Sequence, residues 1–457
     1  MNTTNNPTGQ LLMDRVLKCI SDNDIQNYAL YNTTTETEEK FFIKQECTFD
    51  RNKQTTKCEV TIYRDFEIDE KKYRGSSSFV ADLSMSEKEL DHKIKDACSS
   101  SLYVKNPYYP LPAGNRMETD SDGDKSSKHD MVTCSDDHSS GNTAVSEDNC
   151  YTAGNLAEFV FQNDVTEDVF INSLEIFVTK QSVHIINSNG INVSYNTITY
   201  SGEFVVQAKL ANDVELYHDF KYSSLDDDDI PSSLSKLVSD HLNAVKDRAN
   251  AIPITKLQSD SEPFFVNRVI LEGDSVYELF RYYLYRTDAS MVYPGYSHYK
   301  IGDSCACSNA QPITITLNPK VPYSPEGIRL LNLPLISENT IRYLTGDARF
   351  SFYLGIPASG TYESYQMECG STSIDEMEKE PYLKIVSFSD FQMDEFTGGF
   401  GGEYRLAYYF DGTKTIPVTN GSISGNILDV IENMIFSSEK QTSYYFDGPL
   451  AISYQKI

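Results

Sequence analysis

The sequence predicts an α+β protein of two domains, with largely antiparallel sheets and flanking helices. Its 457 residues exceed what a single hydrophobic core usually holds. Many runs alternate between polar and apolar residues and are separated by turn signals, while a few segments carry apolar residues at helical spacing. We therefore predict an N-terminal α+β domain in two parts, 1–112 and 156–255, an insertion at 113–155, and a strand-rich C-terminal domain at 256–457.

The N-terminal domain is predicted to open with a helix and to continue as a sheet. Residues 27–74 alternate as short strands broken by charged turns. Ser86 and Glu89 form a capping-box pattern, which predicts a second helix over 87–101. The first helix is predicted by a stripe of apolar residues at helical spacing: Leu12, Val16, Cys19 and Ile20.

Residues 113–155 differ from the rest of the chain in composition. They are rich in Ser, Asp, Asn and Gly, and they carry too few large apolar groups to offset the entropy of ordering. Four of their side chains could bind a metal: His129, Cys134, His138 and Cys150. Since these residues lack the paired spacing of a zinc site, a solvated, mobile loop is the favoured interpretation.

The second part of the N-terminal domain is predicted to be a sheet followed by a helix. Extended runs fill residues 174–220, and Asn189 and Gly190 predict a tight turn between two of them. His218 is in phase with apolar neighbours, which indicates a buried or half-buried strand histidine rather than a catalytic one. The aspartates of 226–229 are interpreted as acids near a helix start, with cation binding as the alternative. The helix that follows is predicted by Leu234, Val238, Leu242, Val245 and Ala249.

The C-terminal domain is predicted to begin with a strand, a turn and a helix. The helix lies in the stretch VYELFRYYLYRTDASMVY, residues 276–293. Ser275 and Glu278 form a second capping-box pattern, which predicts that the helix starts at Ser275. Its apolar face is predicted to comprise Val276, Leu279, Phe280, Tyr283 and Leu284.

The rest of the C-terminal domain is predicted to consist mostly of strands. Asp411 and Gly412 predict the turn of a hairpin. The glycine-rich residues 397–403 are interpreted as a turn between two strands. A last helix, entered through residues 421–426, is predicted from Leu428, Ile431 and Ile435.

Composition limits the classes of function. The chain has 67 acidic and 39 basic residues, and its net charge of −28 opposes contact with nucleic acid or anionic lipid. It has no apolar run long enough to span a bilayer and no signal peptide, so we expect a cytoplasmic protein without a membrane anchor. Its 9 cysteines are an odd number and are scattered, which favours free thiols over disulfides.

None of the motifs that carry chemistry is complete. No two histidines have the helical spacing of a metallopeptidase site, and the pair Cys305 and Cys307 lacks the further ligands of a structural zinc site. GSISG places Ile423 where a nucleophile elbow needs serine, and TGGFGGE lacks the ending of a phosphate loop. Carboxylates in ordered segments are numerous, but the sequence does not show which of them converge: Glu203, Glu278, Asp390, Asp394 and Glu403. We therefore predict no catalytic residue.

Longer runs of the sequence resemble the TldD/PmbA family, whose members are described as candidate modulators of DNA gyrase. The resemblance rests on NSNGINVSYNTITYSGEFVVQA, ASMVYPGYSHYKIGD, ARFSFYLGIPASGTYESY and SFSDFQMDEFTGGFGGEYRLAYYFDGTKTIPVTNGSISGN. It extends from about Leu174 to the end, and GSSSF, MSEKEL and YVKNPYY resemble the family's amino-terminal half. The resemblance implies a dimeric α+β protein of two domains, related to cytoplasmic metallopeptidases that process peptides or unfolded segments.

The family has two branches, which differ at the helix of residues 276–293. In the TldD-like branch this helix carries an HExxxH motif that holds the metal together with a distant cysteine. Leu279, Phe280 and Leu284 stand near those positions here, so the chain resembles the PmbA, or TldE-like, branch. Leucine and phenylalanine offer no lone pair to zinc and cannot act as a base. We therefore expect no cofactor in this chain, with zinc held by a TldD-like partner.

Three functions follow as hypotheses. The first is a non-catalytic subunit, inactive alone, that pairs with a TldD-like metallopeptidase in proteolysis of peptides or unfolded segments. The second is a stand-alone metallopeptidase with an unrecognised metal site, and the third is a homodimeric peptide-binding protein. Under the first hypothesis, one side of the helix lines a groove or an interface, although a solvated face fits the pattern equally well: Tyr277, Glu278, Arg281, Tyr282 and Tyr285.

Overall fold

The computed structural model describes residues 7–114, 150–163, 165–223, 229–257, 266, 268–307 and 309–455. Most of the predicted insertion, residues 115–149, lies outside the described residues, as do three of the four aspartates that precede the predicted helix at 230. Within the described residues, no helix is both long enough and apolar enough to cross a membrane.

The helices are mostly short, and two of them exceed 15 residues. They are α1 Pro7–Asp22, α2 Glu87–Ser101, α3 Ala153–Phe161, α4 Ile230–Asn250, α5 Asp274–Arg286, α6 Ala289–Val292, α7 Ala348–Leu354, α8 Ile374–Met377 and α9 Ile427–Val430. Within the described residues, 3-10 turns lie at Ile254–Leu257 and Ile431–Asn433.

The strands are long in the first half of the chain and shorter in the second. They are β1 Asn27–Ile43, β2 Glu46–Ile68, β3 Lys71–Asp82, β4 Asn106–Pro107, β5 Val169–Asn187, β6 Asn192–Lys209, β7 Asp213–Ser223, β8 Ile252–Pro253, β9 Arg268–Glu272, β10 Ile315–Leu317, β11 Leu333–Ser337, β12 Thr340–Ile341, β13 Tyr365–Met367, β14 Tyr382–Met393, β15 Gly399–Phe410, β16 Thr415–Thr419, β17 Gly421–Asn426, β18 Ile435–Phe436, β19 Lys440–Thr442, β20 Phe446–Pro449 and β21 Ala451–Gln455.

Over the described residues these strands form three sheets. Their orders are β4-β3-β2-β1-β5-β6-β7, β12-β11-β10-β13-β20-β19 and β18-β21-β9-β14-β15-β16-β8, and β17 pairs with β15 beside the third. Pairing is largely antiparallel, with parallel contacts at β9–β14, β13–β20 and β8–β16. The predicted α+β class with largely antiparallel sheets is confirmed.

The chain divides into two compact units. The first comprises the described residues of 1–34, 55–150 and 181–197, and the second those of 35–54, 151–180 and 198–457. The predicted domain bounds stay a prediction. In the first unit, α1 and α2 bury the apolar faces that their spacing predicts, including Leu12, Val16, Leu90 and Ile94. The Ser86–Glu89 capping box is present in both directions, so this helix start is confirmed.

In the second unit, the apolar stripe of α4 is buried as predicted, and the Asp229 side chain caps the helix by accepting from the Ser232 N–H. His218 on β7 is half-buried, as its phase with apolar neighbours predicts.

The hairpin at Asp411 is also confirmed. The Asp411 carboxylate accepts from the backbone N–H groups of Thr413 and Lys414 and so closes the turn between β15 and β16.

Two glycine-rich segments contain more strand than predicted. Residues 421–426 form β17, and Asn426 then caps the start of α9, so the predicted entrance to the last helix is confirmed. In the segment 397–403, the predicted turn between two strands ends at Gly398, and β15 begins at Gly399. The two segments pair with each other in an antiparallel register from Gly399 opposite Asn426 to Tyr404 opposite Gly421. A Cβ atom on Gly425 would lie 2.6 Å from the Phe400 ring, so this glycine allows the ring to pack against the strand.

The last predicted helix is much shorter than its apolar spacing suggests. The four residues of α9 and a 3-10 turn end at Asn433, and Ile435 belongs to β18, where it pairs with Ser453. Leu428 is exposed, while Ile431 is buried. Apolar residues from a turn and a strand therefore mimic helical spacing here.

Candidate functional site

The helix α5 starts differently from its prediction. It begins at Asp274, after Gly273, whose φ of +73° turns the chain out of β9. The predicted capping box is wrong: Ser275 Oγ donates to the Glu272 carbonyl, and Glu278 pairs with Arg281. Because the glycine already reverses the chain, Ser275 lies inside the first turn and has no N-cap position to fill.

One face of α5 packs fully into the core of the second unit. Leu279 and Phe280 are completely buried, and the Phe280 ring meets Phe436 edge to face with 5.7 Å between ring centroids. Tyr283 is also completely buried and donates its hydroxyl to the Cys305 carbonyl at 3.2 Å. Leu284 is half-buried and lies on the wall of a cavity.

The residues near the HExxxH positions do not fit a zinc ion. Leu279, Phe280 and Leu284 carry hydrocarbon side chains only, and two of them are closed off in the core. Elsewhere in the described ranges, no group of three or more His, Cys, Asp or Glu side chains is arranged to hold a metal ion.

The opposite side of α5 lines a cavity of about 730 Å³. The helix contributes Tyr277, Arg281, Leu284 and Tyr285 to its wall. The remaining lining residues come from loops and strand ends: Asp288, Ser290, Met291, Leu317, Leu335, Thr345, Thr361, Tyr362, Glu363, Glu395 and Tyr445. The cavity is therefore aromatic and polar, with one cationic and three anionic side chains.

Arg281 is held in place on the cavity wall from several directions. Its guanidinium donates to Glu278 at 2.7 Å and to the Tyr285 hydroxyl, and lies 5.8 Å and 5.1 Å from the ring centroids of Tyr277 and Tyr285. Burial lowers the pKa of Arg281, but the hydrogen bond and charge of Glu278 outweigh this and raise it. The guanidinium is thus fixed and charged, which suits recognition of a carbonyl or carboxylate.

Tyr277 connects this wall to the strands around it. Its ring stacks on Tyr365 and Tyr445, with centroid distances of 5.5 Å and 5.7 Å. Its hydroxyl donates to the Glu363 carbonyl at 2.9 Å, and burial raises its pKa, so the phenol stays neutral. Lys221 donates to the Tyr445 hydroxyl at 3.0 Å. The aromatic surface is therefore rigid.

Asp288 supplies a carboxylate at another part of the wall. It caps α6 by accepting from Ser290 N and Oγ at 2.8 Å and 2.6 Å. Burial raises the pKa of Asp288, and the two bonds from Ser290 partly counteract this. The carboxylate therefore fixes the loop after α5.

The predicted groove residues do not all lie together. Tyr277, Arg281 and Tyr285 line the cavity, and Glu278 contacts it indirectly through Arg281. Tyr282 is only 2% exposed and packs in the core, where Gly398 leaves room for its ring. Tyr282 is separated from the other groove residues because α5 is buried on more than one side and so has no single polar face. The groove or interface role itself stays a prediction.

Sequence reasoning missed the far wall of this cavity. Thr361, Glu363, Glu395 and Tyr445 are distant in sequence from α5, and no motif connects them. Among the carboxylates named as candidates, Asp390 and Glu403 are opposite one another on β14 and β15.

Residues 267–452 match the family described as PmbA/TldA metallopeptidase C-terminal domain. No curated protein matches the sequence.

Three solved structures are similar over nearly the whole chain. A candidate modulator of a DNA gyrase from Thermotoga maritima has a TM-score of 0.69 and 13% identity, and the match covers 98% of this chain and 99% of that one. TldE from Thermococcus kodakarensis has a TM-score of 0.68 and 12% identity, with 98% and 99% covered. A candidate modulator of DNA gyrase from Bacteroides thetaiotaomicron has a TM-score of 0.66 and 16% identity, with 100% and 98% covered. At these identities, the structures show a shared fold.

Proposed function

We propose that this chain, a TldD/PmbA family member by its match at residues 267–452, is a non-catalytic, TldE-like subunit. In this proposal it pairs with a TldD-type metallopeptidase in the cytoplasm and helps to process peptides or unfolded segments. The net charge of −28 argues against direct contact with nucleic acid.

The observation that carries the proposal is the chemistry of α5. Leu279 and Phe280 are fully buried hydrocarbon side chains near the positions where the resemblance places a metal ligand and a base. A peptidase step needs a group that activates water, and neither side chain can bind a metal or accept a proton. Hydrolysis is therefore assigned to the partner, whose zinc would activate the attacking water.

The cavity beside α5 supports a role in holding the substrate. Its volume of about 730 Å³ is in the range of ligand-binding pockets, and its tyrosine rings offer flat surfaces to apolar side chains. Arg281 can donate to a peptide carbonyl, while Asp288, Glu363 and Glu395 can accept from N–H groups. This pattern suits an extended peptide with mixed side chains. The chain would bind and orient such a peptide.

The proposal is tested by purifying the chain alone, a TldD-type protein from the same genome, and their mixture. We expect a 1:1 complex by light scattering, and cleavage of an unstructured peptide that requires both chains. Zinc should accompany the partner in elemental analysis. Cleavage by this chain alone that is lost on chelation would favour the stand-alone metallopeptidase. A homodimer that binds peptide and ignores the TldD-type protein would favour the peptide-binding protein.

The cavity is tested separately with Arg281→Gln. Losing a charge-assisted hydrogen bond to the substrate should raise the KM of the complex by about tenfold while the 1:1 assembly is retained. Arg342→Gln is the matched control, because Arg342 is exposed and does not line the cavity. An unchanged KM for Arg281→Gln would argue against substrate binding in this cavity.

A further inference from the structure

A second cavity, of about 610 Å³, lies within the second unit beside the sheet that contains β14 and β15. Its lining is almost entirely polar and includes two arginines: Arg248, Ser389, Glu403, Tyr404, Arg405, Thr419, Asn420, Gly421 and Ser422. The proposed function does not use this cavity, and none of its residues contributes to the wall beside α5.

The two arginines reach the cavity from different elements. Arg248 belongs to the last turn of α4, and Arg405 belongs to β15. Both side chains are half-buried. Among the described residues, no carboxylate lies within ion-pair distance of either guanidinium, whereas the half-buried Arg268, Arg281 and Arg286 of the second unit each contact an acid or a carbonyl. Two cationic groups thus share one polar cavity, and neither has an ion-pair partner among the described residues.

Arg405 is oriented by its neighbours. Its Nε donates to Ser389 Oγ at 3.3 Å, and its guanidinium lies 4.8 Å from the centroid of the Tyr217 ring. The Tyr217 hydroxyl donates to the Ser389 carbonyl at 3.3 Å, which fixes the ring. The Arg405 carbonyl accepts from Thr419 Oγ1 at 2.8 Å. These contacts hold one edge of the guanidinium. Within the described residues neither Nη group donates a hydrogen bond, so both can donate to a ligand.

The electrostatics of the cavity favour an anion. Burial and then the positive charge of Arg405 lower the pKa of Arg248, while Glu215 acts weakly in the opposite direction. Like charges in a partly buried site repel each other, and an anion between them would remove this repulsion. Glu403 is the one carboxylate among the described lining residues, and its exposure allows water to screen its charge.

We propose that Arg248 and Arg405 form a binding site for a small oxyanion, either a phosphate or a dicarboxylate. Two planar guanidinium groups match the paired oxygens of both ligand types. The hydroxyls of Ser389 and Ser422 and the amide of Asn420 supply further donors from the same wall. The site is independent of the cavity beside α5 and of whether the chain pairs with a peptidase.

The test is isothermal titration calorimetry of the full chain with inorganic phosphate and, separately, with succinate. We expect at least one of them to bind with a 1:1 stoichiometry, and the titration that succeeds identifies the class. Arg248→Gln and Arg405→Gln should each weaken binding by about tenfold or more, because each removes charge-assisted hydrogen bonds. Arg329→Gln, which alters an exposed arginine outside the cavity, should leave affinity unchanged.

A second measurement needs no ligand. Removing the Arg248 guanidinium relieves the repulsion and keeps the contacts of Arg405 with Ser389 and Tyr217. At low salt, Arg248→Gln should therefore unfold at a higher temperature than the parent, and salt should reduce the difference. Binding of neither anion at 10 mM, taken as about the upper limit for a specific site, would overturn the proposal. Binding that both arginine variants retain in full would overturn it as well.

Discussion

Replacing Phe280 with alanine tests whether the helix α5 is held by packing near the positions where the resemblance to the TldD-like branch would place a metal motif. The Phe280 side chain is 0% exposed, and its ring contacts Phe436 and Tyr283. Truncation therefore removes a whole buried ring and leaves a cavity between α5 and the strand β18. The expected loss of unfolding free energy is about 4 kcal/mol, since Phe→Ala changes in cores cost about 3–5 kcal/mol.

The control is Phe352→Ala. Phe352 is 49% exposed on the short helix α7, so its truncation forms no closed cavity and should cost less than about 1 kcal/mol. The edge-to-face contact between Phe280 and Phe436 should account for about 0.5–1.5 kcal/mol of the larger loss. A double-mutant cycle with Phe436→Ala isolates that contribution.

The assay is urea unfolding followed by circular dichroism, which suits a chain without tryptophan. With a slope of about 3 kcal/mol per molar urea, a loss of 4 kcal/mol moves the midpoint by roughly 1.3 M. A midpoint shift for Phe280→Ala no larger than that for Phe352→Ala would refute the reasoning. It would mean that α5 is not held by its buried face.

Three further predictions follow from the same region. Gly273→Ala should destabilise the protein by about 1–3 kcal/mol, because a φ of +73° strains any residue with a Cβ atom. Ser275→Ala should destabilise it less, because Ser275 is not the N-cap of α5. Thermal unfolding of the two variants measures the difference. Burial and the charge of His218 lower the pKa of His241 in the folded protein to about 4, below its ordinary 6.5. As the pH drops, the unfolded chain therefore takes up a proton at His241 at a higher pH than the folded chain does. Protonation thus favours unfolding, and stability should fall as the pH drops from 6.5 to 4. His241→Gln should reduce that fall in acid titrations of stability. Finally, the combined change Leu279→His, Phe280→Glu and Leu284→His should not create a zinc site, as measured by elemental analysis of the purified variant.

Local sequence patterns predicted the helices whose starts depend on short-range contacts. The Ser86–Glu89 box and the cap at Asp229 involve residues three apart, so the chemistry that fixes them is visible in the sequence. The buried stripe of α4 runs from Leu234 to Ala249, about four turns, and such a long repeat leaves little ambiguity. The fold class followed from the same signals together with alternation along the strands.

The sequence patterns predicted local structure wrongly where contacts with a distant segment of the chain determine it. Gly399 and Gly425 are strand residues because β15 and β17 pair with each other, although glycine by itself indicates a turn. Ser275 and Glu278 match a capping box, but the turn at Gly273 places them inside the helix. Tyr282 is buried because α5 packs on more than one side, which the pattern of a single helix does not show.

The residues that line the two cavities could also be predicted only in part from the sequence. Arg281 and Tyr285 could be nominated because they are neighbours on one helix, whereas Tyr445 joins them only through the fold. Arg248 and Arg405 are 157 positions apart, counted from their residue numbers, and neither belongs to a motif. A site composed of one residue from each of several elements becomes visible only when the sheet and the helix are placed.

The expected failure of the metal graft rests on where this protein places the grafted side chains, because the resemblance implies that the TldD-like branch holds its metal with the same spacing and a distant cysteine. The helix α5 is regular from Asp274 to Arg286, so positions 279 and 284 point about 140° apart around its axis. Leu279 is buried in the core, while Leu284 lies on the cavity wall, which agrees with this divergence. Two imidazoles at these positions would face different surroundings, and the glutamate at 280 would be buried without a partner. One zinc per folded chain in this variant would show that α5 can rearrange to hold a metal and would contradict this reasoning.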